Sequence, residues 1–381
     1  MKSAFTVLAI ACAAWAISVA DYLKCTIPAI QDPAGRAIIT VEKNNSESLA
    51  KAIKNAKPNT TILIPDGAYK INDGCKTGKC GYQFNADNIT LRGQSGDPEK
   101  VVISGMFGFK NKVAADEEMF IIAANKVTIA DITLRDSRCH GIKLLPPLSG
   151  TLIHNVHFYD IGERSIKGVR NQKTNKFNEN GVVEYCYFEQ ITPLDTDRVD
   201  ADTLRDQDYI AGIDCMMLKN WRFHHNVFKN IRGATGGGRA GIFLWHGSRD
   251  IVAEDNLFLH CDRGIAFGNP SGKKDCMTNG VIRNNYIIAG IGRPIELCFG
   301  INITVAKNTI YNTFPDSAQP TEQTVFLQDI KKAKIRDNII MGNIFVFSGD
   351  KPDTSGNIFN AKKEWFKDPA MGNLDLVKPL K

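Results

Sequence analysis

Five six-residue stretches decide how this chain folds: FHHNVF at 223–228, AEDNLF at 253–258, IRNNYI at 282–287, VAKNTI at 305–310 and IRDNII at 335–340. Each carries an asparagine, Asn226, Asn256, Asn285, Asn308 or Asn338, with Phe or Ile two positions later. The asparagines recur at intervals of 30, 29, 23 and 30 residues, and self-similarity at such a period marks a solenoid. Apolar runs on either side of a short polar break read as strand, bend, strand. In a coil of such turns one position returns above itself on every rung. The side-chain amides can then hydrogen-bond into a ladder, as stacked asparagines do in cross-β structures. The expected architecture is an all-β parallel β-helix of roughly ten coils in one domain.

Working outward, residues 1–20 carry Lys2, an apolar run from Ala4 to Ile17 and the small-residue exit Ser18-Val19-Ala20. Those are the marks of a secretory signal cleaved after Ala20, so the mature protein is expected outside the cytoplasm. No other run approaches 18 apolar residues, and no membrane span is expected. The net charge of +6 and pI near 8.7 suit an acidic partner as well as an ordinary soluble protein. Ten cysteines are present, of which Cys12 leaves with the signal. Cys75 and Cys80 in DGCKTGKC are the expected disulfide of an exported chain, whereas Cys186, Cys215 and Cys261 fall within apolar runs and read as small buried hydrophobes.

Asn45 or Ser46 can cap a helix whose Leu49, Ile53 and Ala56 share one face, suited to plugging the open end of a solenoid. The strand TILIPDGAY at 61–69 follows, stopped by Pro-Asp-Gly. The division expected is a signal (1–20), an N-terminal cap (21–60), the β-helix (61–346) and a tail packing on the solenoid (347–381). A capping helix, the ILIPDGAYKI strand, coils with Asn-bearing bends and the tail DPAMGNLDLVKP resemble the pectin-lyase-like superfamily of secreted right-handed β-helix proteins over nearly the whole mature chain. The resemblance implies a polysaccharide-active or glycan-binding protein. Motifs of three of its activities are missing: Asn-Thr-Asp with Asp-Asp of polygalacturonases, Arg-x-Pro-x-x-Arg of pectate lyases, and Gln-Asp-Thr or Leu-Gly-Arg-Pro-Trp of pectin methylesterases.

Aligning the strands after each bend gives an inward column, Ile142, Ile166, Ile213, Ile242, Ile265 and Ile295. The next residues then point outward: Lys143, Lys167, Asp214, Phe243, Ala266 and Glu296. Two positions before the isoleucines lie His140, Arg164, Arg263 and Arg293, and Trp245 shares a face with Phe243. Two loops should wall this strip: basic residues 170–178, and residues 195–208 with six Asp. Asp200 and Asp202 of the second loop are the candidate Ca²⁺ ligands, although the loop lacks the glycine and closing Glu of an EF-hand, and no cofactor is otherwise required. The seven histidines show no zinc spacing, and Arg232-Gly-Ala-Thr-Gly-Gly-Gly-Arg239 lacks the Gly-Lys-Ser/Thr ending of a phosphate loop, leaving Arg239 and a glycine turn that a sugar chain could approach.

The chemistry expected is β-elimination on a uronate-containing polysaccharide. Lys167, its pKa lowered by the ammonium of Lys143 about 4.8 Å away, is the candidate base. Arg164 or Arg263 holds the uronate carboxylate, and His246 is the candidate acid. Lys143, His140, Arg239, Phe243, Trp245, Arg263, Arg293 and Glu296 line the substrate. Hydrolysis would need two carboxyl groups about 5–9.5 Å apart, and Asp214 and Glu296, three rungs or about 14 Å apart, do not qualify unless Asp214 acts with an Asp of the 195–208 loop. A uronate epimerase and a non-catalytic adhesive solenoid are the alternatives. The expected partner is an acidic polysaccharide, not nucleic acid, and the chain is expected to act as a monomer.

Overall fold

A residue in the left-handed region precedes every asparagine of the repeat: His225, Asp255, Asn284, Lys307 and Asp337 have φ of 54°, 53°, 55°, 57° and 56°. That backbone is unfavourable for a side-chain-bearing residue, and it turns the chain sharply enough to aim the next side chain into the barrel. The structure, a computed structural model, describes residues 26–71, 80–105, 117–170, 175–192, 208–271, 277–289, 293–312 and 323–379. Within it the five amides form one ladder. Asn226, Asn256, Asn285 and Asn308 each donate from Nδ2 to Oδ1 of the next asparagine at 2.9–3.0 Å. Each of these Nδ2 groups also donates to a strand carbonyl, Val183, Phe223, Ala253 or Ile282. The ladder begins at the backbone N–H of Cys186, 3.0 Å from Asn226 Oδ1, and ends on Asn357 Oδ1, 2.9 Å from Asn338 Nδ2. The coil from Asn285 to Asn308 is only 23 residues long, yet its ladder bond is 2.9 Å like the others.

The next inward position carries a stack of rings. Phe158, Phe188, Phe228 and Phe258 lie 4.7, 4.5 and 4.9 Å apart with interplanar angles below 10°, and Ile287, Ile310 and Ile340 continue the column. Ten parallel strands form one sheet, from Cys80–Phe84 to Ile344–Gly349, and a 23-stranded sheet wraps the remaining sides. In the ten-strand sheet Ile142, Ile166, Ile213, Ile242, Ile265 and Ile295 pair rung to rung and are fully buried. Gly141, Gly212, Gly241 and Gly264 precede four of them. A Cβ on Gly212 or Gly241 would stand 2.7 Å from the ring of Phe228 or Phe258. This tight approach also turns inward, so alternation breaks and the residue before it faces out.

Asn45 caps the helix Ser46–Asn55 by accepting from Ser48 N, and Leu49, Ala52 and Ile53 bury its apolar face in the core. Parallel pairing runs from Ala37–Thr40 to Ile358–Phe359. Beyond it, Phe366 and Leu374 cover an outer apolar cluster of Val227, Leu257, Leu259, Ile288 and Tyr311. Cys186, Cys215 and Cys261 are buried, and burial pushes the Cys261 thiol up to about 12. The Cys75 half of the expected Cys75–Cys80 disulfide lies outside the described residues. No helix among the described residues is long and apolar enough to cross a membrane.

The same stacking orders charge outside. Glu184 stands between His154 and His224 on adjacent rungs, 2.8 Å from His154 Nδ1 and 2.9 Å from His224 Nε2. Burial works to raise its pKa, but the two histidine contacts outweigh burial and bring the carboxyl down to about 2.

Replacing Asn256 by Ala breaks a mid-ladder link and strands its neighbours' polar groups. A loss of about 1–3 kcal/mol in urea unfolding is expected, with a smaller loss for Asn357→Ala at the partly exposed end. Glu184 has its folded-state pKa depressed, so its contribution is fully present above the ordinary carboxylate value of 4.5 and fades as pH falls toward 2. Glu184→Gln should therefore lower the melting temperature at pH near 6 and match the parent protein near pH 2.

Candidate functional site

The outward strip on the ten-strand sheet is built by register. Lys143 pairs with Lys167, Lys167 with Asp214, Asp214 with Phe243, Phe243 with Ala266, and Ala266 with Glu296. The residues singled out from sequence therefore do meet on one face, but the strip is not a row of bare charges. Asp214 is 1% exposed and accepts Lys167 Nζ at 2.7 Å and Arg164 Nε at 3.0 Å on one oxygen, and Trp245 Nε1 at 3.0 Å on the other. Burial alone would raise its pKa, but Lys167 and Arg164 prevail and hold it below the usual carboxylate range. Lys143 donates to Glu118. Each ammonium thus has its own carboxylate, which removes the premise of two bare ammonium groups repelling one another.

Arg164 is fully buried, its guanidinium stacked 2.9 Å from the Tyr209 ring centroid and 2.9 Å from Glu163 Oε2. It braces Asp214 from beneath Tyr209. His140 stands between Glu118, 3.7 Å from Nδ1, and Glu163, 3.3 Å from Nε2. Burial opposes ionisation of both carboxyl groups, and the cations beside them, His140 with Lys143 or Arg164, lower both. At the other end Glu296 accepts Arg293 at 2.8 Å and lies 3.4 Å from Arg263, while Arg293 stacks over Phe326 at 3.4 Å. Phe243 packs on half-buried Trp245 with centroids 5.4 Å apart, and His246 stacks on Trp245 at 4.1 Å.

Arg239 differs from these. Among the described residues it has no carboxylate within ion-pair distance. Burial lowers its pKa, as do the neighbouring Arg164 and Arg263 guanidinium groups. An arriving anion would relieve that arrangement. The glycine loop before it is not a loose turn: Gly233 and Gly238 N–H donate to Asp262 at 2.8 and 2.9 Å, and Thr235 N–H donates to Asp208 at 2.9 Å. A loop shaped around two internal carboxylates holds Arg239 in place, and burial raises the Asp262 pKa despite those donors.

Glu118, Glu163 and Tyr209 were missing from the sequence reading. Glu118 had a readable signal, because Phe120 extends the inward column one rung before Ile142 and places Glu118 beside His140. Of the acidic loop only Asp208 is described; Asp195, Asp197, Asp206 and the Ca²⁺ candidates Asp200 and Asp202 lie outside the described residues.

The profile of the family described as "Periplasmic copper-binding protein (NosD)" matches residues 173–362. No curated protein matches the chain. Among solved structures, the pectate lyase Pel9A is similar at 15% identity and a TM-score of 0.57, covering 87% of this chain and 84% of that one. The A-module of the Azotobacter vinelandii mannuronan C-5 epimerase AlgE6 is similar at 14% identity and 0.51, covering 85% and 97%. PfbA, a surface adhesin of Streptococcus pneumoniae, is similar at 16% identity and 0.50, covering 90% and 91%. An enzyme of each of two kinds and an adhesin on one scaffold show that the likeness carries architecture and not activity. With the ladder, the inward isoleucine column and the ten stacked strands, it makes this chain a right-handed parallel β-helix.

Proposed function

We propose that the protein is exported and binds an acidic, uronate-containing polysaccharide along the strip from Lys143 to Arg293, cleaving it by β-elimination. The observation that carries this reading is Arg239. The strip holds the cations Lys143, Arg164, Lys167, Arg239, Arg263 and Arg293 against the carboxylates Glu118, Glu163, Asp214 and Glu296, and Arg239 is the cation left without a carboxylate of its own among the described residues. A uronate carboxylate supplies what this guanidinium lacks, and half-buried Trp245 offers a ring to a sugar face.

Elimination requires the carboxylate to be neutralised, the C5 proton removed and the departing O4 protonated. Lys167 was the base expected from sequence. Its ammonium donates to Asp214 at 2.7 Å in a buried pair, so it serves as a fixed cation, and proton transfer falls to His246, stacked on Trp245 one rung beyond Asp214. A non-cleaving, glycan-binding role is favoured by the same pairing, since most of the strip's charge is neutralised internally.

Purified protein incubated with alginate, pectate, glycosaminoglycans and polyglucuronate is expected to generate ultraviolet-absorbing unsaturated uronide from one of them. Arg239→Ala should weaken binding of that polymer by about tenfold or more. Reducing ends without absorbance would replace elimination by hydrolysis. Binding without either product would establish the adhesive role, and a change in sugar composition alone would establish epimerisation. Lys167→Ala, expected to be silent for stability if the side chain were exposed, should instead cost about 2 kcal/mol, less than the 3–5 kcal/mol of a buried pair broken outright because Arg164 still holds Asp214. Chemical denaturation measures it, and unchanged stability would return Lys167 to the list of candidate bases.

A further inference from the structure

A second concave site lies on the outer surface of the 23-stranded sheet, built from residues that the strip does not use. It is a cavity of about 850 Å³ whose lining includes residues 27–30 and the rings of His157, Tyr159, Tyr185 and Tyr187. His157, Tyr159 and Tyr187 form one aromatic cluster, with centroid separations of 5.5, 5.8 and 6.0 Å. Further along the solenoid the column that carries Tyr187 carries Val227 and Leu257, in the apolar cluster that Phe366 and Leu374 cover.

The floor is polar. Asn155, 3% exposed, donates from Nδ2 to Asp131 at 2.7 Å and to Gly96 O at 3.2 Å, while its Oδ1 has no hydrogen-bond partner among the described residues. Leaving a buried acceptor unmatched is costly, and a ligand hydroxyl would satisfy it. The cations of the lining are already matched, Arg92 with Asp32 at 2.6 Å and His157 with Glu99, and Asp97 pairs with Lys100 at 3.3 Å. Tyr159 donates to Glu99 at 2.7 Å, and burial together with that carboxylate pushes its pKa well above the ordinary phenol value, so it stays an O–H group.

We propose that this cavity is a second carbohydrate site, distinct from the cationic strip, and that it takes an uncharged pyranose segment between the tyrosine rings and the Asn155 amide. Rings suit the apolar faces of a sugar, an unmatched amide oxygen suits a hydroxyl donor, and among the described residues the cavity offers no uncompensated cation to a uronate. The assignment does not depend on whether the strip binds a polyuronide.

The test is saturation-transfer NMR on the full chain with cellohexaose and mannohexaose as uncharged probes and hexagalacturonate as the charged one. Binding of an uncharged hexaose is expected, weakened about tenfold by Tyr159→Ala and less than about threefold by Tyr159→Phe, which keeps the ring. Tyr185→Ala should weaken it as well and stands in if Tyr159→Ala fails to fold. Arg239→Ala should leave this binding unchanged, which separates it from any failure of the strip. The proposal is overturned if neither uncharged probe binds, if binding survives both alanine variants, or if hexagalacturonate alone binds in a manner sensitive to Tyr159→Ala.

Discussion

Everything in this molecule follows from one spacing. Successive parallel rungs lie about 4.8 Å apart, so whatever side chain a position carries must be compatible with another copy of that position directly above and below. Inside the barrel this selects groups that satisfy themselves by repetition. An amide both donates and accepts, so asparagine can extend a ladder indefinitely; a flat ring stacks on a flat ring. Outside, like charges on neighbouring rungs would repel, and the chain places carboxylates among the cations: Glu118 at Lys143, Asp214 between Lys167 and Arg164, Glu184 between two histidines, Glu296 against Arg263 and Arg293.

This constraint makes Arg239 informative. On a surface where stacking forces charges into compensation, a guanidinium beside two others, with no carboxylate at ion-pair distance among the described residues, is a departure from local consistency, and such departures concentrate at sites of function. The glycine loop that presents it is shaped by Asp208 and Asp262, which accept its backbone N–H groups. The loop's resemblance to an anion-binding turn is therefore physical: it already holds anions, and they are the protein's own.

What was readable from the amino-acid string was whatever repeats. The asparagine period gave the coil, and the isoleucine column gave the rung-by-rung register of Lys143, Lys167, Asp214, Phe243 and Glu296. What escaped was everything that depends on partners brought in from elsewhere. Tyr209 comes from the end of the acidic loop, outside the period, and with Glu163, the chain neighbour of Arg164, it encloses Arg164 as a buried prop for Asp214. The tyrosine-lined cavity draws on stretches near 27–30, 94–99, 155–159 and 185–187, and no pattern in the sequence ties those together before the chain is folded.

The short coil between Asn285 and Asn308 has a broader meaning. It reaches the same amide contact with six or seven fewer residues than its neighbours, so vertical alignment is maintained by side-chain contact and not by counting along the backbone. A scaffold of that kind tolerates insertion and deletion at its corners while its strands stay in place. Recognition surfaces on such a molecule can diverge by loop exchange, with little consequence for the folded core beneath them.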